Sequence, residues 1–326
     1  MVSSIILYLF NNYLVYWQEM PGPYQLLVDP GLSSNNLSEQ DINLGWMLIA
    51  GYLFVLLSVC VYTLTNKLNL TAESLRFEQL AAYLIRVAFW AVLLIGFTDA
   101  LISFLRIEKL LGFWVGEQLL TELGRPIFRG SYIHYPLIIG SCVVALFTRN
   151  ISFSWLALLV VLAEFLIVIT RFVFSYEQAF MGDLVRFWYA ALFLFASAYT
   201  LVHEGHVRVD VLYSTFSARK KAFSNVVGSL LLGMPLCWVI LMQGMGGRGN
   251  SINSALLSFE ISQSGYGMYV KYLMVGFLVV FSLTMLIQFV SFMLKNMARL
   301  IDEDNVLEAE TEVLSESLTE HSGSTS

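Results

Sequence analysis

The sequence predicts an all-α integral membrane protein, and three observations point there. Apolar residues make up 57% of the 326 and charged residues only 13%, about half the charged share of a soluble domain. The mean hydropathy is +0.70, more apolar surface than a water-soluble fold can hide. The apolar residues gather into continuous runs near the ~20 residues that a bilayer crossing needs. They do not alternate as barrel strands do, so helices are the only spanning structure left.

The runs lie near residues 44–65, 80–104, 132–148, 151–173, 184–202, 223–243 and 270–294. The third is the shortest. A further stretch, residues 4–17, is apolar but interrupted by Asn11 and Asn12, and reads as an interfacial helix or a short eighth span. Trp17, Trp46, Trp114 and Trp155 stand at or near run ends, where interface anchors belong. The segment 105–130 mixes Arg106, Lys109, Arg125 and Arg129 with Glu108, Glu117 and Glu122, and reads as an amphipathic piece on the membrane surface. Cys60, Cys142 and Cys237 fall inside apolar runs and are expected as buried free thiols. From Asp302 on, the chain holds eight acids and no Lys or Arg, so residues 301–326 read as an acidic, disordered tail.

Orientation follows from Lys and Arg in short loops. The loop 203–221 carries Arg208, Arg219, Lys220 and Lys221 and is expected in the cytoplasm. Alternation then puts 66–79 and the C-terminus on the same side. No basic patch is large enough for nucleic acid. Four histidines, at positions 134, 203, 206 and 321, do not form the pairs on separate spans that a haem would need, so no cofactor or metal is expected. Gly and Pro do not cluster mid-span in matched positions, as they do where broken helices form a transporter's binding site.

Charges inside spans are costly and need a reason. Arg86 and Asp99 lie in the second run, with Arg106 seven residues beyond Asp99. Glu164 lies in the fourth, with Arg171 two turns on. Either these groups form an ion path or they pair helices together. No further acids line up into a relay, which favours pairing. Glu260 and Lys271 are placed to pair near the start of the last run.

From about Phe153 to Arg299 the sequence resembles the small permease subunit, DctQ type, of tripartite ATP-independent periplasmic (TRAP) transporters. The resemblance is carried by an ordered set of residues. Arg171 closes the first of four spans. Asp183, Arg186 and Trp188 open the second. His206-Val207-Arg208-Val209-Asp210 follows that span, and a basic loop precedes the third. Glu260 and Ser262 lie in the next loop, and Lys271 starts a fourth span that holds Gln288. The resemblance implies a four-helix small-permease bundle at 151–300, behind an N-terminal membrane extension at 1–150. It implies a scaffold beside a large DctM-type permease subunit, supplied by a periplasmic substrate-binding protein, in a bacterial inner membrane. Sodium-coupled uptake of an organic acid would follow, with no enzymatic activity. Arg171, Asp183, Arg186, Trp188, His206, Arg208, Asp210, Glu260, Ser262 and Lys271 would be its structural and partner-contact positions. Two other readings stay open on residues alone. One is a stand-alone ion-coupled carrier using Asp99 or Glu164. The other is a haem- or quinone-linked anchor using His203 and His206.

Overall fold

The computed structural model of the chain describes residues 1–22, 39–65, 69–148, 153–176, 178–202, 213–262 and 267–323. Among these, all regular structure is helical, and seven helices are long and apolar enough to cross a membrane. In chain order the helices are α1 (Val2–Tyr16), α2 (Glu39–Thr65), α3 (Leu70–Ile107), the short α4 (Glu117–Glu122), α5 (Pro126–Phe147), α6 (Phe153–Val173), α7 (Ala179–Val202), α8 (Ala218–Met245), α9 (Ser251–Ser258) and α10 (Lys271–Gly323).

Helices α3 and α10 form the axis of the bundle, running antiparallel. Ser74 near one end of α3 meets Ser291, and Asp99 near the other end meets Tyr269 just before α10. The approach depends on small residues. Ser74, Ala81 and Ala88 recur every seventh position of α3 and are all buried, as are Gly96 and Ser103 further along. A seven-residue repeat keeps one seam facing the neighbour, and small side chains let backbones close on each other where lipid offers no hydrophobic drive. At the Ser74 end, each serine hydroxyl donates to the other's carbonyl, at 3.0 and 2.8 Å. Helices α5 and α7 pack on α3 from its sides. Tyr83 donates to the Cys142 carbonyl (3.1 Å) and Trp90 to the Thr148 hydroxyl (2.9 Å), tying α3 to α5. Asn225 donates to Asn296 (3.1 Å), tying α8 to α10.

Burial falls off outward. Half of the most apolar stretch of α10 is buried, against 6% for α6 and none for α2. Cys60 on α2 is therefore exposed and Cys142 half-buried; only Cys237 has the buried environment expected of all three. Helix α1 climbs alongside α8. Tyr8, Asn12 and Tyr16 donate in turn to the carbonyls of Leu241, Met245 and Gly246. The partners rise together, so the two helices run parallel. Fifteen residues reach only ~22 Å, short of the ~30 Å hydrocarbon core.

Two spans begin earlier than their apolar runs. Helix α3 starts at Leu70 because Glu73, Arg76 and Glu78 continue the helix into a region that resembles a loop. Helix α5 starts at Pro126, where proline is favoured at a first turn. Gly and Pro do interrupt two spans. Residues Gly130–His134 of α5 and Ser229–Gly233 of α8 are single π turns. Each is followed by a proline, Pro136 and Pro235, at the start of the next helical segment. Proline cannot donate to the preceding turn and its ring crowds the carbonyl there, and a widened π turn relieves both. A glycine sits in each turn against an aromatic ring. A Cβ on Gly130 would lie 2.1 Å from Phe259, and one on Gly233 would lie 2.7 Å from Phe289. Helix α10 continues past Ile301 to Gly323, so the acidic stretch expected to be disordered has helical backbone, in keeping with its helix-forming Glu, Leu and Ala.

Candidate functional site

The polar residues of this bundle concentrate where α3 ends and α5 and α10 begin. Asp99, fully buried on α3, accepts at Oδ1 from Arg129 Nη1 (2.9 Å), with His134 Nε2 at 3.1 Å, and at Oδ2 from the Tyr269 backbone N–H (2.8 Å). Arg129 is equally buried. It donates from Nε to the Leu123 carbonyl (2.7 Å) and from Nη1 to Ser103 (3.0 Å), and its guanidinium lies over the Tyr269 ring. The Tyr272 hydroxyl is 2.8 Å from His134 Nδ1. An ionised carboxylate only accepts, so Nε2 of His134 donates to Asp99, and a neutral ring then accepts from Tyr272 at Nδ1. One acid faces one guanidinium, which is how a charge pair survives where water is excluded.

The π turn in α5 assembles this cluster. Residues 129 and 134 are five apart, out of phase on an α-helix but brought to one side by a π turn, whose hydrogen bonds span five residues. Both therefore reach Asp99. Arg106, seven residues from Asp99 on α3, is not its partner. Arg106 donates instead to the Tyr269 hydroxyl (2.8 Å), which donates to the Gly124 carbonyl (3.0 Å). Arg129 was placed by sequence on the membrane surface and His134 was set aside with the other histidines. Their five-residue spacing ahead of Pro136 was the available signal.

A second carboxylate grips the same loop. Asp183, buried at the start of α7, accepts at Oδ2 from Ser262 Oγ (3.0 Å) and from the Met268 N–H (3.1 Å), with Arg186 at 3.6 Å from its other oxygen. Consecutive amides, 268 and 269, thus point at two acids on two different helices, just ahead of the first turn of α10. The positive pole of that long helix favours negative charge at this position. Glu260 and Lys271 pair at 2.6 Å and are both about half exposed. Glu108, after α3, accepts from Tyr176 and Gln178, and that carboxylate pushes the Tyr176 phenol up to about 12. Trp188 is buried with its Nε1 in a notch on α3 that a Cβ at Gly96 would fill at 2.4 Å.

Other predicted positions are not drawn into this cluster. Arg186 is largely exposed, and Arg171 is exposed at the end of α6. Arg86 is half-buried on α3, near the Tyr83 ring, with Nε buried and without a hydrogen-bond partner. Glu164 is exposed in the middle of α6, beside Val161, Phe165 and Val168, and makes no ion pair among the described residues. It therefore does not pair helices within this bundle. His203, His206, Arg208 and Asp210 lie outside the described residues. Among those described, no three His, Cys, Asp or Glu side chains group to hold a metal.

Residues 158–300 match the family model of the DctQ component of tripartite ATP-independent periplasmic transporters, rather less than half of the chain. No curated protein and no solved structure matches it.

Proposed function

We propose, from the premise that residues 158–300 belong to the DctQ component of tripartite ATP-independent periplasmic transporters, that this chain is the scaffold subunit of a sodium-coupled organic-acid importer. It stands beside a large DctM-type permease subunit, which carries substrate and ion. A periplasmic binding protein delivers the substrate. The chain lies in a bacterial inner membrane with the basic 203–221 loop and the C-terminus in the cytoplasm.

The observation that carries this reading is Glu164. A carboxylate facing outward in mid-span is costly in hydrocarbon unless a donor comes to meet it. A membrane subunit packed on α6 supplies that donor. The exposed Leu158, Val161, Leu162, Phe165 and Val168 around it form a face that such a subunit would cover. The buried charges support a static role. Asp99 already holds three partners, and moving an ion through it would require breaking all of them. A stand-alone carrier using Asp99 is disfavoured for the same reason.

The test is uptake in a cell lacking its own transporter. The large subunit and binding protein should transport only when this chain is present, and full uptake without it sinks the reading. Glu164→Gln should keep the chain in the membrane and reduce co-purification of the large subunit. Unchanged co-purification would move the interface to another face.

A further inference from the structure

Next to the Asp99 cluster lies a cavity of about 140 Å³ with walls from Ser103, Arg106, Ile107, Lys109, Arg129 and Gly267. Three of its six lining residues are cations, and none of the six is an acid. Arg129 is already balanced by Asp99. Arg106 and Lys109 make no ion pair among the described residues. Glu108 between them is held by Tyr176 and Gln178. The negative pole of α3 offsets only about half a charge, so a positive excess remains.

A second observation comes from inside the protein. Arg129 is fully buried, yet its Nη2 has no hydrogen-bond partner while Nε and Nη1 are both engaged. Burying an unsatisfied guanidinium N–H is costly, and such groups call for an unseen acceptor. Ser103, which accepts from Arg129, keeps its own hydroxyl proton to donate. The cavity therefore collects donors and positive charge and offers little to a cation. Its room is many times what one water needs.

We propose that this cavity binds a phosphate group. Arg106 and Lys109 supply the charge at its mouth, and Arg129 and Ser103 supply donors within. The phosphate is either the headgroup of an anionic lipid or free inorganic phosphate. Phe113 and Trp114 are 85% and 83% exposed just beyond Lys109. Aromatic residues so placed sit at headgroup level, which puts the cavity mouth beside lipid phosphates. Gly124 is part of the construction, because a Cβ there would lie 2.8 Å from Arg106 Nη2.

The experiment uses the purified full chain, stripped of lipid in a neutral detergent. Tryptophan fluorescence and thermal stability are followed while short-chain phosphatidylglycerol, short-chain phosphatidylcholine or inorganic phosphate is added. Phosphatidylglycerol should bind and raise the midpoint. Lys109→Gln should weaken it about tenfold, the loss of one charge-assisted contact. Gly124→Ala, which removes no charge, should weaken it too by displacing Arg106. Saturation by inorganic phosphate with the same sensitivity to Lys109→Gln identifies the free anion as the ligand. The proposal is overturned if neither phosphate source binds more tightly than phosphatidylcholine. It is equally overturned if Lys109→Gln, whose side chain is exposed and makes no hydrogen bond or ion pair among the described residues, binds as the unaltered chain does.

Discussion

Helices α3 and α6 are both apolar spans that carry an acid, and they use it in opposite ways. Asp99 of α3 is fully buried and held by a guanidinium, an imidazole and a backbone amide. Glu164 of α6 is exposed and has no such partner within the described chain. Helix α3 lies outside the matched DctQ residues, yet it forms the axis of the bundle with α10. Helix α6, most of which lies inside the match, is peripheral and packs mainly on α7. The difference teaches that α3, although it lies outside the match, is not an appendage. Trp188 sits in the Gly96 notch of α3, and the loop before α10 is shared between Asp99 and Asp183. The helix that holds the fold and the helix proposed to meet a partner are distinct.

That contrast can be broken from either side. The largest effect is expected from Asp99→Ala, which leaves Arg129 buried without its acid. The cost is about 3–5 kcal/mol, read as a lowered unfolding midpoint of the full chain in detergent. A change no larger than that of a surface variant would show that the cluster does not hold α3 to α5 and α10. Gly130→Ala comes next, because its methyl group meets Phe259 and forces the π turn apart. Overpacking of this kind costs about 1–3 kcal/mol, measurable by the same unfolding series, and Phe259→Leu should relieve part of it. Ser74→Ala removes one of two reciprocal hydrogen bonds between α3 and α10 and should cost about 1 kcal/mol. The smallest effect belongs to Glu164→Gln. Its stability in the isolated chain should stay within about 0.5 kcal/mol of the parent, since the side chain makes no hydrogen bond or ion pair among the described residues. A larger loss would mean that Glu164 works inside the bundle, and the contrast between the two acids would collapse.

All seven spans were legible in the sequence because long apolar runs have few alternative explanations. Their ends were less so. The charged first turns of α3 and the Pro126–Arg129 turn of α5 look like loop by composition and are helix by structure. Asp99 was marked, but its partner was sought on its own helix at Arg106. Arg129 is thirty residues away in a stretch whose mixed charges resemble a surface, and no local pattern links the two. The outward placement of Glu164 was hidden for a different reason. Helix α6 is apolar on nearly every side, so its periodicity names no face. The Glu260–Lys271 pair was foreseeable because both residues flank one short loop.

The π turn at Gly130–His134 has a further consequence, for how the span counts its residues. One residue more than the α-repeat accommodates is stored in that turn. Deleting one residue from 131 to 133 would let α5 close into an unbroken helix with Arg129 and His134 four apart, still on one face. An added residue has no such refuge, because the turn already holds its extra one. Everything on one side of the insertion would rotate by ~100° relative to the other. Arg129 or His134 would leave the side that faces Asp99, although neither had been replaced. The ion pair is thus encoded partly in a length, and a homologous chain could lose it through a shift in phase while keeping every residue that makes it.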